Sequence, residues 1–85
     1  MASYKLTFKK SVARDLHALP ERDVRRILER IDALADDPRG PGCSKLSGQN
    51  YYRVRVGVYR VVYEIDDGVL VIQVIRVAHR ARAYR

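Results

Sequence analysis

The sequence predicts one α+β domain of order β-α-α-β-β-β, a helical hairpin packed on one face of a small, mainly antiparallel four-stranded sheet. Three observations lead there. Residues 11–34 repeat apolar side chains at helical spacing, twice over. From Tyr51 onward the composition changes to β-branched and aromatic residues that alternate with polar ones. A length of 85 residues with 47% hydrophobic content makes one globular unit, residues 1–85, and leaves no room for a second.

The elements follow in order. Tyr4-Lys5-Leu6-Thr7-Phe8 alternates apolar and polar residues, the period-2 pattern of a half-buried strand. Ser11 is placed to cap a helix whose inward stripe is Val12, Leu16 and Leu19. Pro20 interrupts that helix and opens a second, whose stripe is Val24, Ile27, Leu28, Ile31 and Leu34. Asp36-Asp37-Pro38 ends it, and Arg39-Gly40-Pro41-Gly42 is loop chemistry. Three strands then cover Tyr51–Val56, Tyr59–Ile65 and Val69–Val77. Gly57-Val58 suits a type II′ turn between the first two, and Asp66-Asp67-Gly68 turns the chain before the third.

Charge is the feature that points to function. The chain holds 17 Lys+Arg against 10 Asp+Glu, a net +7. On the helices the two signs alternate as they do on solvated faces. Beyond residue 50 all the basic residues are arginine, and the three acids (Glu64, Asp66, Asp67) gather at one turn. A two-residue turn at Gly57-Val58 sets Arg55 opposite Arg60 and Arg53 opposite Val62, so three guanidinium groups share one face. Like charges directly opposed across a strand pair destabilise it. Either they splay into water or an anion sits between them, and the planar arginine fork suits phosphate oxygens. Rules broken locally in this way are expected chiefly at functional sites.

Beyond the last strand, His79-Arg80-Ala81-Arg82-Ala83-Tyr84-Arg85 is expected to lie near the hairpin arginines. His79 is a candidate for proton transfer and RNA contact, and Tyr84 offers a phenol and a stacking face. Other chemistries fail on their residues. Gly40-Pro41-Gly42 lacks the spacing and lysine of a phosphate-binding loop. His17 and His79 have no third ligand for zinc, and the single Cys43 makes no disulfide. No cofactor, metal or membrane contact is expected. Neither a signal peptide nor a transmembrane span is legible, so a cytoplasmic location is expected.

The chain resembles the RelE/ParE superfamily of toxins from type II toxin–antitoxin pairs. The resemblance rests on Tyr4-Lys5-Leu6-Thr7-Phe8, Leu19-Pro20, Asp37-Pro38-Arg39, Lys45-Leu46, the run from Tyr52 to Tyr63, His79-Arg80 and Tyr84. Resemblance to the RelE branch implies a RelE-like microbial RNase fold and a ribosome-dependent mRNA endoribonuclease. Such an enzyme uses the RNA's own 2′-hydroxyl as nucleophile, needs no metal, and inhibits translation. It implies Arg53, Arg55, Arg60, Arg80 and Tyr84 as catalytic residues, with Arg82 as the alternative to Arg80, and an antitoxin, the ribosome and mRNA as partners. RelE proper carries lysines where this chain has Arg53 and Arg55, and an arginine does not act as a base. Arg85 follows Tyr84 directly, so no terminal helix is expected to fix that tyrosine. The alternative readings are a ParE-like toxin acting on DNA gyrase and a non-catalytic basic RNA-binding module.

Overall fold

The computed structural model describes residues 3–46 and 50–81; Arg82 and Tyr84 lie outside the described residues. The element order is β1 (Lys5–Phe8), α1 (Lys10–His17), α2 (Glu21–Leu34), β2 (Cys43–Lys45), β3 (Tyr51–Val56), β4 (Tyr59–Asp66) and β5 (Val71–His79). The sheet therefore has five strands in the order β1-β5-β4-β3-β2, not four. β1 runs parallel to β5 and every other pair is antiparallel. The additional strand, β2, is three residues with no alternation of its own. Its pairing with β3 makes it a strand, Cys43 opposite Val54 and Lys45 opposite Tyr52.

Both helix starts differ from expectation. Ser11 is not a cap: Lys9 precedes α1 in extended conformation, held by its N–H donating to the Val74 carbonyl at 2.9 Å. The strand thus delivers the chain straight into the helix. Pro20 sits just before α2 rather than inside it, and its carbonyl accepts from Asp23 and Val24 N–H groups. Glu21 and Asp23 then complement the positive end of the helix dipole. The last strand also starts later than expected. Val69 and Leu70 belong to the turn, where Asp66 Oδ1 accepts from Gly68 and Val69 N–H groups.

One face of the sheet carries the core. Val54, Val61, Tyr63, Ile65, Ile72 and Val74 are buried there beneath Val12 of α1 and Ile27, Ile31 and Leu34 of α2. Leu16 and Leu19 pack at its margin, while Leu28, expected inside, is exposed. Tyr63 donates its buried hydroxyl to the Pro38 carbonyl at 2.7 Å, which pins the loop after α2 to the sheet. Among the described residues no helix is long and apolar enough to cross a membrane.

An irregularity in β5 decides what the other face presents. Val62 pairs with Arg76 but Tyr63 pairs with Val74, so Ile75 is an extra residue in the ladder. Side-chain alternation along β5 shifts by one there. Val74 and Val77 therefore both face the core, and Arg76 and Ala78 face outward.

Candidate nucleic-acid interface

The hairpin is the foundation of the site. Gly57 has φ +60°, and Val58 does not share the positive φ, as a type II′ turn requires. The resulting register sets Arg55 opposite Arg60, Arg53 opposite Val62 and Val56 opposite Tyr59, as the sequence predicts. The outward row through Arg53 and Val62 ends in Arg76 on β5, and the row through Arg55 and Arg60 ends in Ala78.

Arg80 joins this face. Its N–H donates to the Val58 carbonyl at 2.7 Å, which fastens the end of β5 to the hairpin turn. Arg55, Arg60 and Arg80 then line a small cleft of about 60 Å³ beside Gly57 and Tyr59. Arg60 is at its centre. Partial burial and the charges of Arg55, Arg53 and Arg80, in that order, hold its pKa below the ordinary arginine value. The guanidinium remains charged, since arginine does not lose its proton in proteins. Four like charges are thus built into one open surface, and an anion there gains from all of them.

His79 is not brought to this surface. It pairs with Tyr59 across β4 and β5, and both side chains lie on the helix-covered side of the sheet. The His79 ring meets the Tyr59 ring edge-on at 6.1 Å, and Tyr59 donates its hydroxyl to Asp23 of α2 at 3.0 Å. His79 Nδ1 accepts the Ala81 N–H at 3.2 Å. Its visible work is to shape the turn that carries Arg80. The extra residue at Ile75 is the cause: without it, the parity of β5 would send His79 outward and Arg80 inward. Arg82 and Tyr84 lie outside the described residues.

The sequence reading missed Arg76, which shares a row with Arg53 through Val62. An irregular ladder leaves no signal in composition, so residue 76 looks equally fit for either face. Among the described residues no group of three or more His, Cys, Asp or Glu side chains is placed to hold a metal ion.

Against known proteins, residues 6–84 match the family described as "ParE toxin of type II toxin-antitoxin system, parDE". The chain belongs to that family. This toxin is 35% identical over 86 residues to "Toxin RelG" of Mycobacterium tuberculosis (strain ATCC 25618 / H37Rv), across 96% of this chain and 97% of the relative. "Toxin RelE" of the same organism is 33% identical over 84 residues, across 96% and 87%. In shape, the toxin is similar to the archaeal RelE–RelB complex structure from Pyrococcus horikoshii OT3. The TM-score is 0.84 at 33% identity, across 95% of this chain and 99% of the other. ParE and RelE names thus both attach to the fold, as the superfamily resemblance implies.

Proposed function

We propose that this toxin is an mRNA endoribonuclease that acts on the ribosome, in the cytoplasm, and is restrained by a cognate antitoxin. The observation that carries the reading is Arg60, opposed by Arg55 and flanked by Arg53 and Arg80 on one open face. The ribosome and message come from the RelE resemblance, supported by relatives named RelE and RelG. The antitoxin is supported by the Pyrococcus horikoshii structure, a RelE–RelB complex.

In the reaction, the RNA 2′-oxygen forms a bond to phosphorus as its proton passes to water, and the bond to the 5′-oxygen breaks as that oxygen takes a proton from water. The products are a 2′,3′-cyclic phosphate and a 5′-hydroxyl. Negative charge builds on the non-bridging oxygens, where fixed guanidinium groups stabilise it without reorganising. Arg60, with Arg53 and Arg55, holds those oxygens, and Arg80 neutralises the leaving oxygen. From the resemblance, Tyr84 orients or stacks the substrate. None of the arginines takes a proton, and His79 on the opposite side of the sheet takes none either. Catalysis here is positioning and charge.

The ParE name of the matched family favours a second reading, inhibition of DNA gyrase through the same basic surface. Translation of an mRNA in vitro with added toxin, followed by mapping of 5′ ends, separates the two. The proposal expects cuts at fixed codon positions that require ribosomes and vanish in Arg60→Ala. Intact message together with trapped gyrase–DNA complexes would establish the second reading.

A further inference from the structure

The arginine face does not end at the hairpin edge. β2 covers β3 only as far as Val54, so Arg55, Val56 and Gly57 form an open edge of the sheet. Around that edge runs a groove of about 460 Å³ between α2 and the hairpin, lined by Arg26, Glu29, Arg30, Arg55 and Gly57 among others. Arg55 thus borders both this groove and the cleft that holds Arg60 and Arg80. Arg26 stands against the hairpin tip, where a Cβ at Gly57 would lie 3.7 Å from its Nη2 and 3.9 Å from its Nη1. Arg30, one turn further along α2, donates to the Pro41 carbonyl at 3.1 Å, which fixes it at the far side of the groove.

We infer that this groove is a second RNA-backbone site, continuous with the scissile-phosphate cleft through Arg55. The inference rests on the endoribonuclease reading of that cleft. The chemistry recognised is the phosphodiester. Arg26 is the new contact, Arg55 is shared between the two sites, and Arg30 contributes charge. Among the described residues Glu29 is the one carboxylate on this groove; Asp23, in the adjoining hollow beside Arg26 and Tyr59, already accepts the Tyr59 hydroxyl. An acidic protein segment fits less well. Among the described residues the apolar lining is Ala33 and Val56, too little to seat the apolar face of a helix.

The test uses the whole toxin, 2′-O-methyl oligoribonucleotides of three and nine nucleotides, which cannot be cut, and ribosomal small subunits free of message. Arg26→Ala, on an exposed helix face, is expected to weaken the nonanucleotide about three- to tenfold. It is expected to flatten the salt dependence by about 0.7 in log–log slope, the value for one single-strand phosphate contact. Binding of the trinucleotide is expected to stay unchanged. A defect on the free nonanucleotide assigns the groove to the cleaved strand, and one confined to small subunits assigns it to ribosomal RNA. Wild-type affinity in both arms would overturn the inference, as would a larger loss for a polyglutamate peptide than for either RNA. Arg60→Ala run beside it separates the two failures. If that variant keeps full trinucleotide binding and full cleavage, the endoribonuclease reading fails, whatever Arg26→Ala does.

Discussion

Arg39 and Arg60 stand near opposite ends of the same sheet and meet opposite surroundings. Arg39 gives both terminal nitrogens to Asp67, at 3.1 and 2.7 Å, and its Nε to the Tyr52 hydroxyl at 3.0 Å. It also lies over the Tyr52 ring, 5.3 Å from the centroid. Tyr4 completes the cluster by donating to Asp67 at 2.6 Å. These partners raise the pKa of Arg39, whereas burial and three arginine neighbours lower that of Arg60. One guanidinium has its charge matched by the fold and closes the loop after α2 onto the β4–β5 turn. The other is crowded by its own kind on an open face. Under the proposed function, the contrast separates a residue placed for stability from residues placed for a ligand.

The comparison breaks first at Arg60. Arg60→Ala is expected to cut ribosome-dependent cleavage by about 10²–10³-fold, the usual loss for one preorganised oxyanion contact. Its circular-dichroism spectrum is expected to match the parent's, so that the loss reports on the phosphate contact and not on folding. The paired end behaves in the opposite way. Tyr63→Phe deletes the hydroxyl that anchors Pro38, leaves a buried carbonyl without its donor, and is expected to cost about 1–2 kcal/mol in urea unfolding. Cleavage by that variant should remain within about twofold once folded.

Asp67 sharpens the contrast through pH. The Arg39 and Tyr4 hydrogen bonds hold its carboxyl below the ordinary value, so the folded state favours the ionised form. Its stabilisation is complete above the unfolded carboxylate pKa of about 3.9 and is lost as pH falls through the lower, folded value. Asp67→Asn should therefore melt below the parent at pH 7, and the gap should close in acid. Calorimetry from pH 7 to pH 2 checks it; a gap that is constant over that range contradicts the assignment. The smallest effect is expected at His79. His79→Ala should leave ribosome-dependent cleavage within about threefold, because its side chain lies on the helix-covered side of the sheet. A hundredfold loss would return His79 to the chemistry.

Which parts of this were legible in the sequence has a physical answer. The hairpin register was, because a two-residue turn with glycine first fixes every cross-strand pair from Val56–Tyr59 to Tyr51–Glu64. Arg53, Arg55 and Arg60 could therefore be set on one face from spacing alone. β2 was not legible, since Cys43–Lys45 has neither alternation nor length and is a strand only by pairing. The sides taken by Arg76, His79 and Arg80 were not legible either, because they depend on the single extra residue at Ile75. Arg26 looked like one more charge on a solvated helix until α2 and the hairpin tip came together in the fold.

Thermal unfolding at low salt, with and without the uncleavable trinucleotide, tests the central claim most directly. A ligand that binds only the folded state raises its melting temperature by mass action. The trinucleotide is expected to raise the parent's melting temperature and to raise that of Arg60→Ala much less, each measured against its own ligand-free protein. An Arg60→Ala variant stabilised by the trinucleotide as much as the parent would contradict the proposal that the crowded arginines hold a phosphate.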